Sequence, residues 1–358
     1  MVATNLLPRR RHEGIYQKIL KYSPMYFNPK EEDIIYLNLN VSDVCNYRCL
    51  KCFQGDIRPD SKSLDLPGLL SIVDRAVDEL GIKSMYISGR GETFLVGKGS
   101  LTDKLRNYRK LVEHANLRGI GIMQFTNGYC LDKDMTDFLC GKDVSIVVSL
   151  DTLDEQKYQR LMVPPKGAFK RVMANIEYAR KRIPIEQGGR LFRLGINTAI
   201  SHENLGEVDQ IKEFCADDIL FFSNYPMLRG NLKDNQMQMC SSEQEYESFK
   251  DKVRETSAYR ALAGICQNGA CGFYYNGITI DINGNVLLSP YDISTGILFG
   301  NIRDYGSMAD AVNKVREAVK RFLEKFPGAK SCPLRHPNYE EFPGFVGNER
   351  QTNSKKGQ

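Results

Sequence analysis

This sequence has no uninterrupted apolar run of about 18 residues, so no helix is expected to cross a membrane. Its opening, MVATNLLPRRRHEGIYQKIL, has no apolar core and no small-residue cleavage site, so no secretory signal is expected. It also has no internal repeat and no low-complexity tract. Gly89 and Gly91 form only a fragment of a phosphate-binding glycine motif, because no G-x-G-x-x-G follows. Histidine is scarce: His12, His114, His202 and His336 show no paired spacing, so none is assigned a role. Neither sign of charge dominates, with 49 basic against 44 acidic residues. The clearest basic runs, Arg9–Arg11 and Lys355–Lys356, lie near the ends and read as solvated termini. Without a basic stripe, no nucleic-acid partner is expected, and no membrane partner either.

What the sequence does contain is the material of a soluble globular protein. Its 358 residues give a prior of about two domains. The 42% apolar and 26% charged content excludes a disordered or collagen-like chain. The unusual figure is ten cysteines. They are too thin for a disulfide scaffold, and with no export signal the expected compartment is the reducing cytoplasm. Clustered thiols there point to metal binding or chemistry.

From Asp33 onward strands and helices alternate. Apolar runs predict strands beginning near residues 34, 83, 121, 144, 194 and 218, with helices between them. Asp65, Pro67 and Gly81 mark both ends of the first of these helices. VSIVVSL (144–150) is apolar throughout, as expected of a parallel strand buried on both faces. About six βα units follow, an α/β class with a parallel sheet, either a full or partial barrel or an open sheet. Near residue 235 the pattern changes to a polar helix, a hairpin around Asp281–Asn285 and an amphipathic helix over 308–326. The expected organisation is an N-terminal extension (1–32), a core (33–235), a smaller α+β domain (236–345) and a tail (346–358).

Chemistry concentrates after the first strand, where Cys45-x3-Cys49-x2-Cys52 places three thiols within eight residues. Such a loop can wrap one metal centre, and soft thiolates select zinc or iron–sulfur clusters. Three ligands fall one short of a closed site, so either a fourth comes from elsewhere or a position stays open.

This spacing resembles the radical S-adenosylmethionine (radical SAM) superfamily, and further segments fall in the family's order. Ser88–Glu92 resembles the segment that holds the SAM amino group, with Arg90 departing from a glycine. Thr126-Asn127-Gly128 resembles the family's turn after the third strand, and Ser149-Leu150-Asp151 the segment near the SAM ribose. Thr198 and Asn204 also fit. Before the third cysteine the family often has an aromatic residue, whereas this chain has Lys51, followed by Phe53. The resemblance implies a partial (β/α)6 barrel. It implies that Cys45, Cys49 and Cys52 hold a [4Fe–4S] cluster, and that Gly89, Gly91, Glu92, Thr126, Asn127, Ser149 and Asp151 contact SAM.

The later part resembles the SPASM/twitch extension, which carries auxiliary iron–sulfur clusters. Cys266, Cys271 and Cys332 are the ligands this implies for one auxiliary [4Fe–4S] cluster, with Cys240 a candidate fourth. Ser289 stands where the family usually shows another cysteine. Cys140 and Cys215 end predicted helices and read as core thiols. Cys130, just past the 126–128 turn, is a candidate hydrogen donor, although packing is the plainer reading.

The resemblance implies a 5′-deoxyadenosyl radical that abstracts hydrogen from a small polar metabolite, in a dehydrogenation, epimerisation or related rearrangement. It also implies a flavodoxin or ferredoxin as electron donor. A radical SAM peptide maturase is the alternative, and a non-catalytic iron–sulfur or zinc module is the alternative of another class.

Overall fold

The computed structural model describes residues 36–52, 63–87, 91–182, 186–187, 190–216, 218–224, 240–256, 277–288, 297–326 and 339–346. Strands β1 (Tyr36–Leu39), β2 (Ser84–Ile87), β3 (Gly121–Thr126), β4 (Val144–Ser149), β6 (Arg190–Ala199) and β7 (Leu220–Asn224) pair in that order, all in parallel. These are the six strands expected from the apolar runs. A two-residue strand, β5 (Glu186–Gln187), folds back antiparallel on the start of β6.

Helices follow the strands, and their ends are set by capping. In α1 (Leu66–Leu80) the Asp65 carboxylate accepts the Gly68 N–H, and Gly81 closes the helix at φ 65°. Ser100 and Asp103 form a capping box on α2 (Leu101–Leu117), and Asp132 caps α3 (Lys133–Cys140). Two helices, α4 (Glu155–Met162) and α5 (Ala168–Arg182), separate β4 from β5, and α6 (Val208–Cys215) joins β6 to β7. The sequence reading provides α5 but not the short α4.

Alternation along the strands separates two faces. Leu37, Leu39, Met85, Ile87, Ile122, Ile146, Val148 and Ile196 join one large apolar core. Between them on the strands stand Asn38, Tyr86, Phe125, Ser149 and Asn197.

The C-terminal segment is built onto this sheet. Strand β8 (Gly277–Ile280) pairs in parallel with the free edge of β1, and β9 (Val286–Leu287) returns antiparallel on β8, giving the expected hairpin. Gly284, at φ 85°, allows the turn. Helix α7 (Glu243–Thr256) precedes the hairpin and α8 (Met308–Lys325) follows it. Arg75 of α1 donates to the Ile302 carbonyl at 3.0 Å, and Glu79 accepts the Met308 N–H, tying α8 to α1. No described helix is long and apolar enough to cross a membrane.

Candidate functional site

Loops leaving the C-terminal ends of the strands gather at one end of the sheet, where parallel folds place their ligands. The loop after β1 carries Cys45, Cys49 and Cys52, all partly buried. It is anchored through its backbone. The N–H groups of Arg48 and Leu50 donate to the carbonyls of Val163 and Leu161, at 3.2 and 3.0 Å. Both acceptors lie at the end of α4. Beneath them the hydroxyls of Tyr47 and Tyr158 meet at 3.0 Å. Val163 takes a left-handed conformation, φ 41°, unusual for a β-branched residue, as α4 terminates against the loop.

The loop after β2 docks on the other side. The Glu92 N–H donates to the Val44 carbonyl at 2.8 Å. Gly91 allows that approach, since a Cβ there would lie 2.2 Å from the Val44 oxygen. The Glu92 carboxylate points inward. It accepts the Asn127 N–H at 2.9 Å and the Thr126 hydroxyl, so it organises the turn after β3. Burial raises its pKa, opposed by these hydrogen bonds. The Asn127 amide in turn donates to Asn46 Oδ1 at 2.8 Å and reaches toward Cys45 Sγ at 4.0 Å.

After β4, Asp151 is buried. One of its oxygens accepts the Ala199 N–H at 2.9 Å, and the other pairs with Lys51. Thr198 donates to the Leu150 carbonyl at 2.7 Å, and Asn204 to the Asp151 carbonyl at 2.8 Å. Ser149 lies partly exposed on the face opposite the apolar core. Cysteine, glutamate, turn and Asp151 therefore meet at one end of the sheet. The link through Lys51 carried no signal in the sequence.

The thiols fit an iron–sulfur centre by their chemistry. Burial, then the nearby Glu92 charge, drives the Cys45 thiol up to about 12, while the Tyr47 N–H, 3.4 Å from its sulfur, opposes this. Burial likewise raises Cys49. Sheltered thiols of this kind become thiolates when a metal takes the proton's place. Among the described residues no three Cys, His, Asp or Glu side chains stand close enough to grip a single ion. Soft thiolates suit zinc and iron–sulfur clusters alike, and three of them leave one position of either centre to be filled from elsewhere.

The other candidates scatter. Cys130 lies in the apolar core, its thiol pushed by burial up to about 12. Cys140 and Cys215 are buried at the ends of α3 and α6. Cys240 is buried just before α7, its sulfur 3.2 Å from the Ser242 carbonyl. Gly89, Cys266, Cys271, Ser289 and Cys332 lie outside the described residues. The sequence reading noted Lys51 only as a departure from an aromatic residue, and it missed Tyr47 and Tyr158. Of these only Tyr158 carried a usable signal, standing with Leu161 and Met162 at helical spacing after the Asp154 cap.

Residues 39–215 match the family model described as Radical SAM superfamily. Among solved structures, the chain resembles Streptococcus suis SuiB bound to precursor peptide SuiA, at 16% identity and a TM-score of 0.55. That match covers 76% of this chain but 63% of SuiB, so the chain spans less than two thirds of SuiB's length. It also resembles anSMEcpe with bound AdoMet and the Cp18Cys peptide, at 18% identity, TM-score 0.55, 78% coverage of this chain and 80% of that one.

Proposed function

We propose that this chain, whose residues 39–215 match the family model described as Radical SAM superfamily, is a radical SAM enzyme that starts its reaction by abstracting hydrogen from substrate. The observation that carries this is the joining of the Cys45–Cys49–Cys52 loop to Gly91–Glu92 on one side and Asn127 on the other. In this reading the three thiolates hold a [4Fe–4S] cluster. When bound with SAM, the cluster supplies one-electron cleavage of SAM and a 5′-deoxyadenosyl radical. The chain's own residues do the positioning. The carbonyls at the end of α4 and the Tyr47–Tyr158 pair fix the cysteine loop. Glu92 holds the 126–128 turn against it, and the segments at Gly91, Thr126–Asn127 and Ser149–Asp151 border the SAM position.

The substrate reading has two branches. A small polar metabolite undergoing oxidation, epimerisation or rearrangement is the first. A peptide is the second, favoured by the fold neighbours SuiB and anSMEcpe, both solved with peptides bound. Cys266, Cys271 and Cys332, with Cys240 as a further candidate, would hold an auxiliary cluster, and a flavodoxin or ferredoxin would deliver the electron. The test is anaerobic reconstitution with iron and sulfide, then reduction in the presence of SAM. Release of 5′-deoxyadenosine is expected, and its loss when Cys45, Cys49 and Cys52 are all changed to Ala. A reconstituted, reduced protein that leaves SAM intact is not this enzyme. A precursor-peptide gene beside this one would decide for the peptide branch.

A further inference from the structure

Lys51 lies between two cysteines of the loop, Cys49 and Cys52, and reaches across to the end of β4. Its ammonium pairs with Asp151 Oδ2, and the two side chains are only 15% and 2% exposed. The other Asp151 oxygen is taken by the Ala199 N–H at 2.9 Å, so the carboxylate is fixed between the cysteine loop and β6. A sheltered ion pair is a poor stability device, because stripping both charges of water offsets most of their attraction. An apolar side chain could fill the same gap, so a cation kept here points to a further negative charge to answer. In the reading of the loop as a [4Fe–4S] ligand set that charge is the thiolates of the bound centre, and Lys51 stands next to Cys52 and two residues after Cys49.

We propose that Lys51 is a positioning residue that holds a compensating positive charge against the Cys45–Cys49–Cys52 loop. Asp151 sets how much of that charge the loop feels, and the pair thereby tunes the reduction potential of the centre the loop binds. This rests on the reading of the loop as a [4Fe–4S] ligand set. Adding an electron makes a thiolate-held cluster more negative, so a nearby cation favours the reduced form, and local charge is one of the levers on such potentials. Lys51→Met should shift the midpoint potential to more negative values. Asp151→Asn releases the ammonium from its counter-charge and should shift it to more positive values. Lys51→Arg keeps the charge and should stay near the wild type.

The experiment is a redox titration of the anaerobically reconstituted full-length chain, followed by electron paramagnetic resonance of the reduced cluster, with iron and sulfide content measured alongside. Opposite shifts for Lys51→Met and Asp151→Asn support the proposal, since a purely structural contact would move neither or move both the same way. Potentials that coincide with the wild type, or shift in one common direction, overturn it. If Lys51→Met does not retain the cluster, Lys51→Arg decides: retention supports the charge role, and loss overturns it. A wild-type chain that takes up no cluster sinks the functional reading itself, a different result from unshifted variants of a loaded protein.

Discussion

A methyl group at Gly91 would lie 2.2 Å from the Val44 carbonyl oxygen and 2.8 Å from the Val44 nitrogen. Both neighbours are backbone of the cysteine loop, so neither can swing aside. Gly91→Ala is therefore expected to push the two loops apart, at a cost of roughly 1–3 kcal/mol. Urea denaturation and iron uptake on reconstitution should fall together, and a variant with wild-type values in both would show that the loops are not packed this tightly. Glu92, the next residue, gives a pH signature. Burial raises its folded-state pKa above the ordinary 4.5. Its contribution to stability is then fully present below 4.5 and is lost as pH rises through the raised value. The stability difference between wild type and Glu92→Gln should shift against the wild type over that rise in pH, read from urea midpoints at a series of pH values. A constant difference would mean that the carboxyl titrates normally. At this scale the sequence was uneven. Cys45, Cys49 and Cys52 were legible because their spacing is local. The Lys51–Asp151 contact was not, because no periodicity links two loops that only the strand order brings together.

Helix α4 shows the same limit one level up. The six main strands are readable because each is a continuous or alternating apolar run between helical patterns. Helix α4 has eight residues and buries only Tyr158, Leu161 and Met162, so its apolar signal is faint. Yet the cysteine loop is received by the carbonyl of the helix's Leu161 and by that of Val163, which caps the helix end. The helix is itself braced from behind, since Lys157 pairs with Glu207 and donates to the Glu203 carbonyl at 2.7 Å. The Tyr47–Tyr158 hydroxyl pair tests whether loop and helix act as a unit. Removing one hydroxyl leaves the other buried without its partner, at about 1–3 kcal/mol, whereas removing both removes the demand along with the bond. Tyr47→Phe and Tyr158→Phe should therefore each destabilise, and the double variant should cost less than their sum, by about 1 kcal/mol in a double-mutant cycle. Strict additivity in urea denaturation would place the two rings in independent environments.

For the whole molecule, the decisive feature is the strand that closes the edge of β1. The sequence reading ends the core near residue 235 and expects the hairpin beyond it in a second domain. The hairpin itself is legible from Asp281–Asn285, but its partner is not, because parallel pairing across more than two hundred residues leaves no local trace. β8 runs beside β1 in full register, Tyr36 opposite Gly277 through Leu39 opposite Ile280, and the Asn40 N–H, at the entry to the cysteine loop, donates to the Ile280 carbonyl at 2.9 Å. The Leu64 N–H, just before α1, donates to the Ile282 carbonyl at 2.7 Å. The C-terminal segment thus covers a strand edge and braces the loop that carries the three cysteines. A chain ended after residue 276 would expose the β1 edge along its whole length, a template for pairing with other copies. It would also lose Ile278 and Ile280 from the apolar core. We expect that truncation to elute as aggregate in size-exclusion chromatography and to incorporate less iron than the full chain. A chain ended after residue 288, which keeps both hairpin strands, should recover part of each property. If the shorter chain were a monomer with full iron incorporation, the β1–β8 pairing would be dispensable, and the core would stand alone as the sequence first suggested.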